Sequence, residues 1–200
     1  KLHYDRPAEY FEEALVIGNG TMGATLYGGV KKDKISFNDI TLWTGEPESE
    51  NSSPDAFNVI PEIRALLDNE DYEGADKAQY KVQGHYSENY QPLGTLTIEY
   101  LDDTAGISDY HRWLDIGNAT ARTQYLKDGK LFTSDYFASA PDSVIVIRLK
   151  SENKEGIHAL LSFDSPLPHS SQVADNEISV EGYAAYHSFP VYYKAEDKHR

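Results

Sequence analysis

Apolar and polar residues alternate over most of the 200-residue chain with the two-residue period that is typical of β-strands. Between Thr95 and Leu101, the residues Leu96, Ile98 and Tyr100 fall on one face of the predicted strand, with polar residues on the other face. The same reasoning predicts strands over 14–17, 21–27, 110–116, 120–127, 130–138, 143–150, 157–163 and 177–182. Turn residues separate these segments, so the pattern favours a mainly β fold of antiparallel strands.

One of these turns consists of Asp128 and Gly129 alone, between the strands predicted over 120–127 and 130–138. Both central residues of a type I′ turn need a positive φ, which Asp tolerates and Gly adopts freely. The dipeptide therefore predicts a two-residue hairpin that pairs these two strands.

The apolar positions change to helical spacing between residues 60 and 83. They are Ile60, Ile63, Leu66, Leu67, Tyr72, Ala75, Ala78 and Val82. Pro61 suits the first turn of a helix, because its missing N–H has no partner to lose there. We expect one or two helices, broken near 68–71. Polar stretches at 45–58 and 165–174 are predicted to be loops.

The charge balance narrows the classes of partner. Lys and Arg number 18 and Asp and Glu number 33, so the formal net charge is −15. Proteins that bind nucleic acids or anionic membranes need a basic surface, so this charge argues against both classes. No apolar run reaches the length of a membrane span, and we expect a mature or excised soluble segment. The absence of cysteine excludes disulfides, thiolate metal sites and cysteine nucleophiles.

Residues 18–23 spell GxGxxG after an apolar strand, which is the pattern of a dinucleotide-binding loop. That function requires a helix directly after the glycines, because the helix N-terminus binds the pyrophosphate. The segment Thr25-Leu26-Tyr27-Gly28-Gly29 is a poor helix former. We therefore expect a glycine-tolerant hairpin or buried loop here, and no nucleotide cofactor.

Other candidate chemistry is sparse in the sequence. The seven histidines show no HxH, HxxxH or HExxH spacing, and no serine lies in a GxSxG motif. Asp102 and Asp103 precede Gly106 and fit a solvated turn better than a catalytic pair. Trp43 fits either a core position or a sugar-stacking or interface position, and Gln91 lies in a predicted turn. The residues alone indicate an acidic, Tyr-rich, mostly antiparallel β domain with a helical insertion.

Several segments, taken in order, resemble one family. They are residues 14–20 with 22–24, the run 37–45, the predicted helix start at 61–67, the turn 90–94, and the elements at 110–115 and 137–139. These are similar to the landmarks of the N-terminal domain of glycoside hydrolase family 95, the 1,2-α-L-fucosidase family. The departures are Val16 in place of Pro, Phe37 in place of Leu and Phe11 in place of Trp. None of them removes a known chemical group.

The resemblance implies an antiparallel β-super-sandwich with a short helical insertion, spanning residues 1–200, with its C-terminal boundary left open. It also implies a partner, a downstream (α/α)6 barrel, whose carboxylates remove terminal fucose from glycans with inversion. This segment is accordingly expected to carry no catalytic residue, metal or cofactor and to be inactive alone. The candidates for the domain interface or the mouth of the pocket are Asn19, Asn38, Trp43, Thr44 and Gln91. The alternative for the segments 18–23 and 38–45 is that they pack inside the sandwich.

Two other interpretations stay open on sequence grounds. One is an autonomous carbohydrate-binding, lectin-like β-sandwich, which the 15 tyrosines permit; the other is the same domain of an α-L-galactosidase relative. An exposed apolar patch would favour a piece of a larger hydrolase, and a self-contained groove lined by Tyr and Trp would favour a lectin. The resemblance also implies a bacterial periplasmic or secreted protein.

Overall fold

The computed structural model describes residues 1–45, 55–84, 88–190, 192 and 194. The chain divides into two compact units. The first unit comprises Lys1–Trp43 and Tyr90–Ala184, and the second comprises Thr44–Asn89 and Ala185–Arg200. The chain therefore leaves the first unit after Trp43, returns to it at Tyr90, and ends in the second unit.

The described residues of the first unit form two five-stranded antiparallel sheets and a hairpin. Sheet A contains Leu2–Tyr4 (β1), Ile107–Asp115 (β6), Thr120–Lys127 (β7), Lys130–Ser139 (β8) and Val144–Ser151 (β9), in the order β1-β6-β7-β8-β9. Sheet B contains Leu15–Gly18 (β2), Met22–Leu26 (β3), Lys32–Asp39 (β4), Gly94–Tyr100 (β5) and Ala159–Asp164 (β10), in the order β10-β5-β4-β3-β2. The hairpin pairs His169–Ala174 (β11) with Glu177–Gly182 (β12). The expected mainly β, antiparallel fold is confirmed.

The apolar core lies between the two sheets, because each sheet turns one apolar face toward the other. Ile35 of β4 and Ile98 of β5 are buried on the side of sheet B. On the side of sheet A, the rings of Tyr125 and Phe132 stack with their centroids 4.9 Å apart. The ring of Tyr100 meets Phe132 edge-on at 5.2 Å, so aromatic contacts join the two sheets.

One carboxyl group lies in this core. Asp33 of β4 and Tyr136 of β8 are each 1% exposed. The Tyr136 hydroxyl donates to Asp33 Oδ2 at 2.7 Å, and the backbone N–H of Gly29 donates to Oδ1 at 2.9 Å. Burial raises the pKa of Asp33, although these hydrogen bonds oppose the shift. The Asp33–Tyr136 hydrogen bond thus links the two sheets through a group whose charged form is disfavoured.

A buried arginine attaches the N-terminal segment to sheet A. Arg112 of β6 is 1% exposed, and its Nε and Nη1 donate to the carbonyl oxygens of Arg6 and Glu13 at 2.7 and 2.8 Å. The guanidinium carbon lies 4.2 Å from the centroid of the Tyr4 ring, within the range of a cation–π contact. Besides the pairing of β1 with β6, these contacts hold residues 4–13 against the sheet.

The hairpin predicted from Asp128 and Gly129 is confirmed. β7 pairs with β8 along its whole length, and Lys127 opposite Lys130 is the last pair before the turn. The φ angles are 50° at Asp128 and 74° at Gly129, as a type I′ turn requires.

Gly129→Ala should lower the free energy of unfolding by about 1–2 kcal/mol. A Cβ at this position would meet no atom within 4 Å, so the penalty comes from the positive φ and not from a collision. Gly117→Ala is the matched control, since Gly117 lies in a turn without a positive φ and its added Cβ would be 3.4 Å from Asp115 Oδ1. Urea denaturation compares the two variants. Equal midpoints would contradict the assignment of strain to the Asp128–Gly129 turn.

Three strands of the structure, β1, β4 and β11, have no counterpart in the sequence prediction. β4 was not predicted, because its inward-facing positions include Asp33 and the charge interrupts the apolar alternation. β1 is only three residues long and shows no period. The loop expected at 165–174 is wrong in its second half, where β11 pairs with β12. All six residues of β11 are exposed, so no apolar face marks this strand in the sequence.

The second unit contains the helical insertion, with helices at Ala56–Asp68 (α1) and Tyr72–Gln79 (α2) and a 3₁₀ turn at Tyr80–Val82. The expected break near 68–71 is confirmed, and Asp71 caps α2 by accepting from the N–H of Gly74 at 2.9 Å. The expected first turn is wrong: α1 starts at Ala56 and contains Pro61 in its interior, without the hydrogen bond that another residue would donate to the carbonyl of Phe57. The loop expected at 45–58 therefore ends before α1, and its residues 46–54 lie outside the described part of the chain.

Candidate functional site

Four of the five candidate residues lie at one end of sheet B. Asn19 is in the turn after β2, Asn38 is the penultimate residue of β4, and Trp43 and Gln91 lie in the segments that follow β4 and precede β5. The end of β4 adjoins the start of β5 because the two strands are antiparallel, with Phe37 opposite Gly94. We name this region, comprising residues 18–23, 38–43 and 90–94, the signature end.

Asn19 holds the turn between β2 and β3. Its Oδ1 accepts from the backbone N–H groups of Thr21 and Met22 at 3.0 and 2.8 Å, and its Nδ2 donates to the carbonyl of Ser139 at 2.9 Å. The side chain therefore shapes the turn and ties sheet B to the end of β8. The segment after the glycines is β3 and not a helix, so the expected glycine-tolerant hairpin is confirmed.

Asn38 lies on β4 opposite Gly23 of β3. Its Oδ1 is buried, and within the described part of the chain no donor reaches it. The Oγ1 of Thr25 on β3 is also buried, and it too has no hydrogen-bond partner among the described residues. A buried acceptor without a donor costs about 1–3 kcal/mol, so these two oxygens mark a place on sheet B where a further donor would stabilise the protein.

Trp43 and Tyr90 form an exposed aromatic pair. They are opposite each other in an isolated antiparallel bridge, and their ring centroids are 6.5 Å apart. Trp43 is 53% exposed and Tyr90 is 48% exposed, so neither ring belongs to the core of the first unit. The backbone N–H of the buried Gln91 donates to the carbonyl of Leu42 at 3.1 Å, which holds the two segments together below the rings.

An apolar groove of about 390 Å³ opens beside the signature end, within the first unit. Phe37 and Leu96 of sheet B form one side, Leu42 and Leu93 belong to the signature end, and the β11–β12 hairpin contributes Ile178 and Val180. Among the described residues that line this groove there is no Trp and one Tyr, Tyr183, and the two Phe residues, Phe37 and Phe163, carry no polar group. Such a groove fits an apolar protein surface better than a sugar.

The fifth candidate, Thr44, belongs to the second unit, where it is buried. Its hydroxyl donates to Glu88 Oε2, and the N–H of Asn89 donates to Thr44 Oγ1 at 2.8 Å. Glu88 also accepts from the N–H of Ser188 at 3.1 Å, and His187 Nδ1 lies 2.6 Å from Glu88 Oε1. Glu88 thereby connects three separate stretches of the second unit.

The carboxyl group of Glu88 is held in its ionised form. Burial opposes ionisation, but the hydrogen bonds from Thr44, His187 and Ser188 outweigh it and lower the pKa of Glu88. A carboxylate that accepts from several fixed donors is a poor base and a poor proton donor. We therefore interpret this cluster as a structural centre of the second unit and not as a general acid–base pair.

The signature end, in the first unit, contains one carboxylate, that of Asp39. Its Oδ1 accepts from the N–H and the hydroxyl of Thr41 at 2.9 and 2.6 Å, and these hydrogen bonds lower the pKa of Asp39. Among the described residues, no group of three or more His, Cys, Asp or Glu side chains is arranged to hold a metal ion. Nor does the described part of the chain include a helix long and apolar enough to span a membrane.

Sequence reasoning did not single out Glu88, His187 or Tyr90 as separate candidates. Glu88 and His187 are nearly 100 positions apart and come together only in the folded second unit. Tyr90 was identified only as part of the turn at 90–94, and the sequence holds no signal that its ring lies beside Trp43. The periodicity of a sequence does not show which distant segments come together in the fold.

Residues 2–198 match the family described as "Glycosyl hydrolase family 65, N-terminal domain", and the chain belongs to this family of hydrolase N-terminal domains. Its curated relatives include "Alpha-L-fucosidase 2" of Arabidopsis thaliana, which is 32% identical over 96% of this chain and 23% of the relative. "Probable alpha-fucosidase A" of Aspergillus niger is 30% identical over 74% of this chain and 20% of the relative. The chain thus spans about a fifth of the length of the curated relatives it matches. These relatives confirm the resemblance to the N-terminal domain of a fucosidase. The family that matches carries the number 65 in its description.

Proposed function

We propose that this chain is the non-catalytic N-terminal domain of an inverting α-L-fucosidase that removes terminal fucose from glycans. The observation that carries the proposal is the match of nearly the whole chain to a small part of proteins named as α-fucosidases. Two carboxylates support it, because Asp39 of the first unit and Glu88 of the second unit are each engaged by fixed hydrogen-bond donors. Inverting hydrolysis needs an acid and a base on opposite sides of the glycosidic bond, and neither group suits either role.

The proposed partner of this domain is the remaining part of the same protein, a downstream (α/α)6 barrel. In the first unit, the apolar groove and the half-exposed Trp43 offer the kind of surface that another domain covers. In the second unit, α1 has no buried residue, and Phe57 is 84% exposed. Packing against the rest of the protein would cover these apolar surfaces, and in this proposal it places the signature end near the pocket mouth.

Activity of the full-length protein and of residues 1–200 alone tests this proposal. On a 2′-fucosylated oligosaccharide, the full-length protein should release fucose with inversion, and the segment should show no turnover above background. The reason is that proton donation and water activation both require groups fixed within hydrogen-bond reach of the anomeric centre. Turnover by the segment at a rate near that of the whole protein would refute the non-catalytic role. A full-length protein that hydrolyses α-L-galactosides in preference to fucosides would refute the substrate assignment.

Trp43→Ala should destabilise the full-length protein by about 2 kcal/mol, because a large aromatic side chain in a domain interface loses that much on truncation. Fucosidase activity should fall by roughly tenfold or less, since no reacting group is removed. Leu101→Ala is the matched control: Leu101 is also an exposed apolar residue, and it follows β5 at the opposite end of sheet B. Thermal unfolding and initial rates measure both variants. A Trp43→Ala protein with unchanged melting temperature and unchanged activity would contradict the interface role.

A further inference from the structure

A second cavity lies at the end of the sandwich opposite the signature end, and it has a different character from the apolar groove. Its volume is about 280 Å³. It is bordered by the segment after β5, by the Asp128–Gly129 turn and by the segment between β9 and β10, all within the first unit. We name it the loop cleft. Its volume is just below the range of pockets for drug-sized ligands, so it suits a ligand of about one six-membered ring.

The floor of the loop cleft is the open end of the aromatic core. Tyr100 from sheet B and Tyr125 and Phe132 from sheet A line it, together with Ile107 and Ile157. The rings of Tyr125 and Phe132 are stacked on each other and both are buried, so a ligand would meet little of the ring faces and would contact the floor beside the Tyr125 hydroxyl. Burial raises the pKa of Tyr125, and the neighbouring Tyr100 and Asp102 act in the same direction. Its phenol therefore keeps its proton and remains a hydrogen-bond donor.

The rim of the loop cleft mixes acceptors and donors. Four carboxylates line it, those of Asp102, Asp103, Asp128 and Glu155, against the two ammonium groups of Lys127 and Lys130. Lys127 Nζ is held by Asp103 Oδ1 and by the carbonyls of Asp103 and Ala105, at 2.6, 2.6 and 2.7 Å. Asp128 Oδ1 lies against Gly106, since a Cβ added at that glycine would collide with it.

We propose that the loop cleft binds a neutral monosaccharide unit. The apolar floor, with Ile107 and Ile157, matches the C–H groups of a sugar ring. The carboxylates of the rim accept from sugar hydroxyl groups, and the Lys130 ammonium group and the Tyr125 phenol can donate to them. This ligand class follows from the lining of the cleft and does not depend on the proposed hydrolase role.

The same lining argues against other ligands. An excess of two negative charges on the rim repels phosphate and other anions. The described side chains provide no group of three or more acidic or histidine ligands for a metal ion. The net charge of the rim would attract a small organic cation, but Phe132 and Tyr110 stack on Tyr125, so this ring has no free face for a cation–π contact.

Hydrogen exchange measured on the full-length protein, with L-fucose, D-galactose or D-glucose added in turn, tests the proposal. At least one sugar should slow exchange in 100–108, 125–132 and 151–158, with a dissociation constant in the millimolar range. Asp102→Asn and Tyr125→Phe, which change one polar group each, should each weaken this protection about tenfold. Glu181→Gln is the matched control on the exposed β12 and should leave it unchanged.

The location of the protection decides the outcome. Absence of protection in the three segments at saturating sugar would overturn the proposal. Equal protection of the β11–β12 hairpin would also overturn it, because general exclusion of sugar from the surface stabilises the whole protein and not one site. Protection by tetramethylammonium chloride but by none of the sugars would replace the proposal with a cation site. None of these results depends on fucoside turnover, so failure here is distinguishable from failure of the proposed function.

Discussion

Asp33→Ala should lower the free energy of unfolding by about 4 kcal/mol, the largest change that we expect from a single side chain of this protein. The substitution removes the acceptor of the Tyr136 hydroxyl and of the Gly29 N–H, and leaves both donors without a partner inside the core. Urea denaturation of the first unit's strands, followed by circular dichroism, measures the effect. A loss below about 1 kcal/mol would show that water or another acceptor replaces the carboxyl group.

The raised pKa of Asp33 also makes the free energy of unfolding depend on pH. Burial raises the pKa of Asp33 in the folded protein above its value in the unfolded chain. The contribution of the neutral Asp33 to the free energy of unfolding is therefore complete below the pKa of the unfolded chain, and it is lost as the pH rises through the pKa of the folded protein. Asp33→Asn is the control. Its amide remains neutral, and the Tyr136 hydroxyl can rotate to accept from it, so stability should be reduced less than in Asp33→Ala. The decline in stability with rising pH should be smaller in Asp33→Asn than in the wild type. Identical pH profiles would exclude a raised pKa.

Arg112→Ala should lower the free energy of unfolding by about 3 kcal/mol, because it leaves the carbonyls of Arg6 and Glu13 without a donor and removes the contact with Tyr4. Arg112→Lys should recover only part of this loss, since one ammonium group cannot reproduce the planar fork that reaches both carbonyls. Arg148→Ala on the exposed side of β9 is the matched control and should change stability by less than about 0.5 kcal/mol.

Limited proteolysis of these arginine variants shows where the stability is lost. The N-terminal segment should be cleaved faster in Arg112→Ala than in the wild type, while sheet A remains protected in both proteins. Uniform cleavage of the whole chain would mean that Arg112 supports the core in general and not the attachment of residues 4–13.

The strands with a regular alternation were predictable from the sequence. β7 and β12 agree with the prediction at both ends, and the Asp128–Gly129 turn was identified from the φ preferences of its two residues. β4 was missed because a charged residue at an inward position looks like an exposed one until its partners are known. Asp33 is buried because Tyr136, more than 100 residues away, supplies a hydrogen bond. A sequence pattern reports hydrophobicity at each position, but it does not report which polar groups will be satisfied.

The candidate site was predictable only in part, for the same reason. The family resemblance indicated the segments around Asn19, Asn38, Trp43 and Gln91, and the topology of sheet B explains why they share one end. It did not indicate that Thr44 lies in a separate unit with Glu88 and His187. That division depends on where the chain crosses between units, and no change in composition marks the crossing between Trp43 and Thr44.

The connectivity of the two sheets also determines the order in which they can form. β6 to β9 follow one another along the chain and pair with their neighbours, so sheet A needs only short loops to close. β4 must wait for β5 across the entire helical insertion, from Asp39 to Gly94, and β1 must wait for β6, with Leu2 opposite Leu114. Such long closures are slow because the entropy of the intervening chain is lost before the contacts form. During synthesis β1 therefore stays unpaired until more than half of this chain has left the ribosome, and we expect the β6–β9 meander to form first.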